Sequence, residues 1–194
     1  MRLIALALAA ALTSPAAAQE IRGIPLGGLI PEDMPEPVGS GIEGAYSITR
    51  WTFDDGLSLS ASRDAETGEV VYLELWRTDN SGTYPTPIDG LVFGETTRGE
   101  LHERFGSEGF VFEPGDRFLL AGPTTVWFNN YEIAGSDTVV SFFTIQPTSE
   151  ASPETADASV LDSMFVAQSA FADEFYGFNR GRLPGYAPIP SPFD

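Results

Sequence analysis

His102 is the single histidine of the chain, and histidine is the usual general base and metal ligand near neutral pH. It lies among Glu100 and Glu103 on a segment of helical spacing. There it falls about 100° round from Leu101, off the apolar stripe of Leu101 and Phe105. That position predicts a histidine on the solvent flank of a short helix. Nucleophilic catalysis of the Ser–His type needs a serine on a sharp strand-to-helix elbow, and no Gly-x-Ser-x-Gly is present. The chain has no cysteine, so a zinc site would have to be built almost wholly from carboxylates, which is unusual. A phosphate-binding loop of the Gly-x-x-x-x-Gly-Lys type is excluded because the sequence contains no lysine, and no Gly-x-Gly-x-x-Gly occurs. The reading is therefore no catalytic residue, no metal and no cofactor.

Carboxylates are the one abundant reactive group, with 28 Asp and Glu. Two of them flanking a scissile bond can act as acid and base in glycoside hydrolysis. The closest clusters are Asp54-Asp55 and Asp64 with Glu66. Both read as hairpin turns, where Asp belongs for local hydrogen-bonding reasons. Asp64-x-Glu66-x-Gly68 also lacks the distal bidentate Glu of a calcium loop.

Aromatic residues supply the better lead. Trp51, Trp76, Trp127, Tyr72 and Tyr131 all fall on predicted strands. In the stretch from Glu69 to Thr78, alternation puts Val71, Leu73 and Leu75 on one face and Val70, Tyr72, Glu74 and Trp76 on the other. The aliphatic face is expected to pack on the core. Tyr72 and Trp76 are then the candidate binding surface, since exposed Trp and Tyr on a sheet mark contact sites.

Three strands are predicted to carry these residues: Ala45 to Phe53, Gly56 to Ser62 and Glu69 to Thr78. The second alternates Leu57, Leu59, Ala61 against Ser58, Ser60, Ser62, as a half-buried antiparallel strand does. Asp54-Asp55-Gly56 and Asp64 to Gly68 are the turns between them. A short or vestigial helix is expected after Pro31, stopped by Pro35 and Pro37. A better helix is predicted from Arg98 to Phe105, with Thr97 and Glu100 at capping-box spacing and Gly106 as its left-handed cap. Strands follow at about Phe110–Phe112, Arg117–Ala121, Thr125–Ile133 and Thr138–Ile145. Ser152-Pro153-Glu154 reads as the start of a long helix reaching Tyr176, because Leu161, Met164, Phe165, Gln168, Phe171, Ala172 and Phe175 recur on one helical face. That helix is expected to lie across the second half of the protein, so deleting residues from 152 onward should expose apolar surface. The tail from Phe178 is Pro-rich and expected to be extended or mobile.

The sequence repeats itself about 67 residues apart. Gly23-Ile24-Pro25-Leu26-Gly27 is answered by Gly90-Leu91-Val92-Phe93-Gly94, and Val38-Gly39-Ser40 by Phe105-Gly106-Ser107. Val70 to Leu73 then meets Val139 to Phe142 at an offset of 69. A repeat of this length is one supersecondary unit used twice. The predicted class is α+β: two tandem repeats, 19–88 and 89–150, each a short helix packed on antiparallel sheet, followed by a C-terminal amphipathic helix over 151–177 and a tail over 178–194. The segment from Phe93 to Gly106 resembles small secreted domains of the β-lactamase inhibitor protein type and small accessory lipoproteins of outer-membrane assembly. Those domains open with a similar apolar-Gly-x-Thr turn, a helix and a closing Gly. The resemblance implies a helix packed on antiparallel sheet and a bias toward protein–protein binding.

Arg2, the apolar run Leu3 to Leu12 and Ala16-Ala17-Ala18 have the form of a secretory signal cleaved after Ala18. No stretch is long and apolar enough to span a bilayer, and without cysteine no lipid anchor can be attached. A periplasmic or secreted location is expected. Removing Arg2 with the leader takes the net charge from −18 to −19. Such a surface repels nucleic acid and anionic lipid. At 42% hydrophobic and 12% aromatic, the chain is a folded globule rather than an acidic tail. The leading functional reading is a non-catalytic binding module for another envelope or secreted protein, a basic one being the kind an acidic surface attracts. The alternatives are a carboxylate-based hydrolase of envelope polymer or sugar, and a structural envelope factor.

Overall fold

In a computed structural model, the protein is described over residues 19–79, 81–113 and 118–193. The expected leader and the Arg117 start of one expected strand lie outside the described residues. Fourteen strands and two helices follow in order: β1 (Glu20–Ile21), β2 (Ile24–Pro25), β3 (Gly39–Glu43), β4 (Tyr46–Thr52), β5 (Leu57–Asp64), β6 (Val70–Arg77), β7 (Tyr84–Pro85), β8 (Val92–Phe93), α1 (Arg98–Phe105), β9 (Phe110–Glu113), β10 (Phe118–Ala121), β11 (Thr124–Glu132), β12 (Thr138–Pro147), β13 (Val160–Gln168), α2 (Ser169–Tyr176) and β14 (Asn179–Arg182). Ten of these strands form one sheet in the order β14-β9-β11-β12-β13-β6-β5-β4-β3, with β10 paired to β11 off that path. Every pairing in it is antiparallel.

This overturns the α+β class. Strand makes up 46% of the chain and helix 13%, so the molecule is mostly one large antiparallel sheet. The two halves are not separate helix-plus-sheet units either. Their meanders join edge to edge through β13, which pairs β12 on one side and β6 on the other. Only the second half has its helix. After Pro31 the chain makes a turn, closed by a hydrogen bond from Met34 N to Pro31 O, because Pro35 and Pro37 deny further helical donors.

α1 forms where the sequence places it. Thr97 and Glu100 make a complete capping box, and Gly106 closes the helix at φ 60°. The long C-terminal helix does not form. Residues 160–168 are the central strand instead, and only Ser169–Tyr176 is helical. The cause is a bulge. Thr144 pairs Leu161 but Phe143 pairs Ser163, leaving Asp162 as the extra residue. The bulge puts Leu161 and Met164, three residues apart, in the same core, and so a strand imitates helical spacing. The tail is held rather than loose: β14 pairs β9, and Ile189 is wholly buried.

Two cores cover the two faces of the sheet. On the first face, Leu59, Leu73, Leu75, Val140, Phe142, Met164 and Val166 pack under Ile21, Ile24, Ile88, Phe93 and Leu101. On the second face, Tyr72, Phe110, Phe112, Val139, Phe165 and Ala167 pack under Phe171 and Ala172 of α2. The core side of β6 differs from strict alternation at one place. A bulge beside Arg63 sends Val70 to the first core and Val71 to the second.

Candidate functional site

α2 is two turns long and covers only one end of the second face. Beyond it the sheet register sets residues of five strands in one row: Ser58, Trp76, Ser163, Phe143 and Phe128. The adjoining row is Arg50, Ser60, Glu74, Phe165, Ser141 and Asn130. From β4 to β11 the strip crosses five inter-strand spacings, about 24 Å at ~4.8 Å each. Trp76, Phe128 and Phe143 are half-buried. A depression of about 430 Å³ is lined by Arg50, Ser60, Glu74, Trp76, Asp162 and Ser163. Beside it a pocket of about 210 Å³, mostly apolar, is lined by Phe118, Leu119, Phe128 and Phe143 among others.

The two residues read as a binding pair are separated by the structure. Trp76 stands in the depression, half-buried. Tyr72 lies beneath α2, 7% exposed, with its ring 5.2 Å from both Phe165 and Phe171. Its hydroxyl donates to Glu74 Oε2 at 2.9 Å and lies 3.1 Å from the Tyr176 hydroxyl. Burial pushes the Tyr72 hydroxyl well above its ordinary pKa, with the Glu74 charge adding to the effect. Burial also raises Glu74, against the lowering effects of the Tyr72 hydrogen bond and the Arg50 charge. Glu74 and Asp162 share the depression, but Asp162 is bound at 2.7 Å by Arg77 Nε. Arg77 is itself buried and also donates to the Gly82 carbonyl.

The turn clusters are structural. Asp64 Oδ1 accepts from the backbone N–H groups of Glu66 and Thr67 at 2.9 and 2.7 Å, which holds its carboxyl below the usual range. Asp55 pairs with Arg22.

His102 departs from its expected place. Its side chain is only 13% exposed, with Nδ1 3.5 Å from Glu108 Oε1 and 3.9 Å from Asp157 Oδ1. Buried Arg98 beside it donates from Nε to Asn129 Oδ1 at 2.9 Å and pairs with Asp157. Burial first, then the Arg98 charge, lowers the His102 pKa. Sequence spacing placed His102 off the stripe correctly. It did not show that the turn over 156–158 packs against α1 and closes that flank. Among the described residues no group of three or more His, Asp and Glu could hold a metal, and no helix is long and apolar enough to cross a membrane.

Arg50, Ser163, Phe128 and Phe143 were not singled out from sequence as site residues. The alternation of Ser58, Ser60 and Ser62 against leucines was the available signal, since it marks the polar face on which Trp76 stands. No family model, curated protein or solved structure matches the chain.

Proposed function

We propose that the protein is a non-catalytic binding module of the periplasm or extracellular space, and that it holds a protein partner on the open strip of the sheet. The observation that carries this is Trp76. It is a large amphipathic ring set between Ser58 and Ser163 in a shallow row of serines and phenylalanines, on a face that α2 leaves uncovered. Trp, Tyr and Arg dominate the energetics of protein contacts, and Arg50 stands two strands away on the same face. The hollow is wide and shallow, as suits a contact surface. One of its two carboxylates is tied up by Arg77, whereas a hydrolase of the two-carboxylate type needs both free to act on substrate.

The test compares the intact protein with Trp76→Ala and Arg50→Ala as baits for envelope and secreted proteins of the source organism. The wild type should retain a protein that Trp76→Ala releases, with thermal stability nearly unchanged. The reading fails if all three retain the same proteins. It also fails if the purified wild type cleaves cell-wall glycan and Glu74→Gln abolishes that cleavage.

A further inference from the structure

Of the eight large apolar side chains exposed among the described residues, three are consecutive: Phe118, Leu119 and Leu120, at 41, 56 and 60%. Together with Ala121 they make β10, whose whole length is exposed. One edge of β10 pairs Thr124–Trp127 of β11. No described strand or backbone group bonds to its other edge. Natural sheets blunt such edges with lysine, proline, a bulge or an inward charge, and β10 has none of these.

Charge is missing from this edge in a chain where 20% of residues are charged. Residues 118–131 contain no Asp, Glu, Lys, Arg or His, and neither do residues 138–149 on the next strand. Two copies of a protein with net charge −18 repel wherever their acidic surfaces meet. Over Phe118–Leu120 they can approach without setting one charge against another. The edge is also complementary to itself. Antiparallel pairing about Leu119 sets Leu119 opposite Leu119 and Phe118 opposite Leu120 twice, so the three central cross-strand pairs are apolar. Paired residues share a face. Leu119 is level with Val126 and therefore on the second face, beside Phe128. In this register the second faces of both copies lie on the same side, and their apolar pockets meet at the axis.

We infer that β10 pairs with β10 of a second copy about a two-fold axis through Leu119, joining two ten-stranded sheets into one. An interface of this kind is isologous and closes on itself. Its short edge makes the dimer weak and concentration-dependent. It shares only the Phe128 and Phe143 end of the strip, three strands from Trp76 at the furthest, so Trp76→Ala tests the strip and Leu119→Arg tests the edge.

Sedimentation velocity and amide exchange test it on the full mature chain. The apparent mass should double as concentration rises, and exchange at Phe118–Ala121 should slow over the same range. Leu119→Arg, and separately Leu119→Glu, should weaken dimerisation by at least ~30-fold, the size of effect of losing one central contact. Each sets like charges opposite one another at the axis. Mixing the two variants should restore the dimer, because their charges are then opposite; a merely misfolded edge would not be rescued this way. The inference is overturned if the wild type stays monomeric at every concentration, or if Leu119→Arg dimerises as the wild type does. It is equally overturned if the wild type is monomeric and Leu119→Arg abolishes capture of the partner protein, since the edge then belongs to the partner surface.

Discussion

Leu73 and Val140 lie level on the two flanks of β13, each paired with Val166 between them, and both point into the first core with no exposed surface. β13 is antiparallel to each neighbour, so β6 and β12 run parallel to one another. The C-terminal third of the chain is therefore the joint between the halves. A chain ending at Ala151 loses both ladders of β13 and with them Leu161, Met164 and Val166 from the first core. It should show no cooperative thermal unfolding by circular dichroism. A chain ending at Gln168 keeps both ladders of β13 but loses α2, β14 and Ile189, and uncovers Tyr72, Phe165 and Phe112. It should melt cooperatively at a lower temperature and bind a hydrophobic dye. A cooperative melt from the shorter chain would contradict the central place of β13.

Tyr72 and Trp76 stand one pleat repeat from being neighbours on the same strand face, yet substitution should separate them sharply. Tyr72→Ala removes a ring from the second core, together with its hydrogen bond to Glu74. It should cost about 3–5 kcal/mol, as truncations of buried aromatics do. Trp76→Ala removes a half-buried ring from an open depression and should cost about 1 kcal/mol or less. Urea unfolding of the two variants measures both. Equal large losses would place Trp76 in the core and remove it from the proposed contact surface.

How much of this could be read in the sequence depends on how local the cause was. α1 was legible to the residue, because the capping box of Thr97 and Glu100 and the cap at Gly106 are set within one segment. β4, β5 and β6 and the strands from β9 to β12 were legible because Leu57, Leu59 and Ala61 alternate with serines and because Asp and Gly mark the turns; β3, a Gly39–Glu43 edge strand with every residue exposed, carries no such alternation. β13 was not. The extra residue at Asp162 is accommodated by β12, a partner 15 or more positions away, and it gives the strand the spacing of a helix. The repeat misled for a related reason. Val70–Leu73 and Val139–Phe142 are similar strings, but the structure sets Leu73 level with Val140 rather than with Phe142. The meanders also lead away from β13 in opposite directions. A shift that carried β6 onto β12 would bring β5 to the place of β13, so no shift along the sheet superposes one half on the other. The site was half legible: composition pointed to Trp76 and Tyr72, while the position of α2, a tertiary fact, decided which of them stays open.

Arg98 holds the flank of α1 together. Its guanidinium satisfies Asn129, whose side-chain amide donates onward to the Phe142 carbonyl at 3.0 Å. Arg98→Met should cost about 1–3 kcal/mol by leaving the Asn129 oxygen buried and unbonded. It should also raise the His102 pKa, since the Arg98 charge helps to hold it down. The single histidine gives one ring resonance to follow by NMR. In the wild type it should titrate below the ordinary histidine value. The folded state then takes up its proton later than the unfolded chain as pH falls, so this group lowers stability as pH drops through 6.5 toward the folded value. Titration at the ordinary histidine value would place His102 in solvent, and titration above it would mean that the Glu108 and Asp157 carboxylates outweigh burial.

Glu74 has the opposite signature to the carboxylates that stabilise folded proteins. Burial raises its pKa in the fold. Relative to the unfolded chain, its contribution is fully present below the ordinary glutamate pKa and is lost as pH rises through the raised value. Glu74→Gln keeps an acceptor for the Tyr72 hydroxyl at 2.9 Å and carries no charge into the strip. It should be at least as stable as the wild type at neutral pH and should flatten the fall in stability on the alkaline side of the glutamate range. Tyr72→Phe, by contrast, should cost about 0.5–1.5 kcal/mol and push the Glu74 titration higher still, because the donor that favours the charged form is gone. Melting temperature against pH for the three proteins tests this. A wild type that gains stability as pH rises through that range relative to Glu74→Gln would mean that Glu74 is stabilised as the anion, and the burial assigned to it would be wrong.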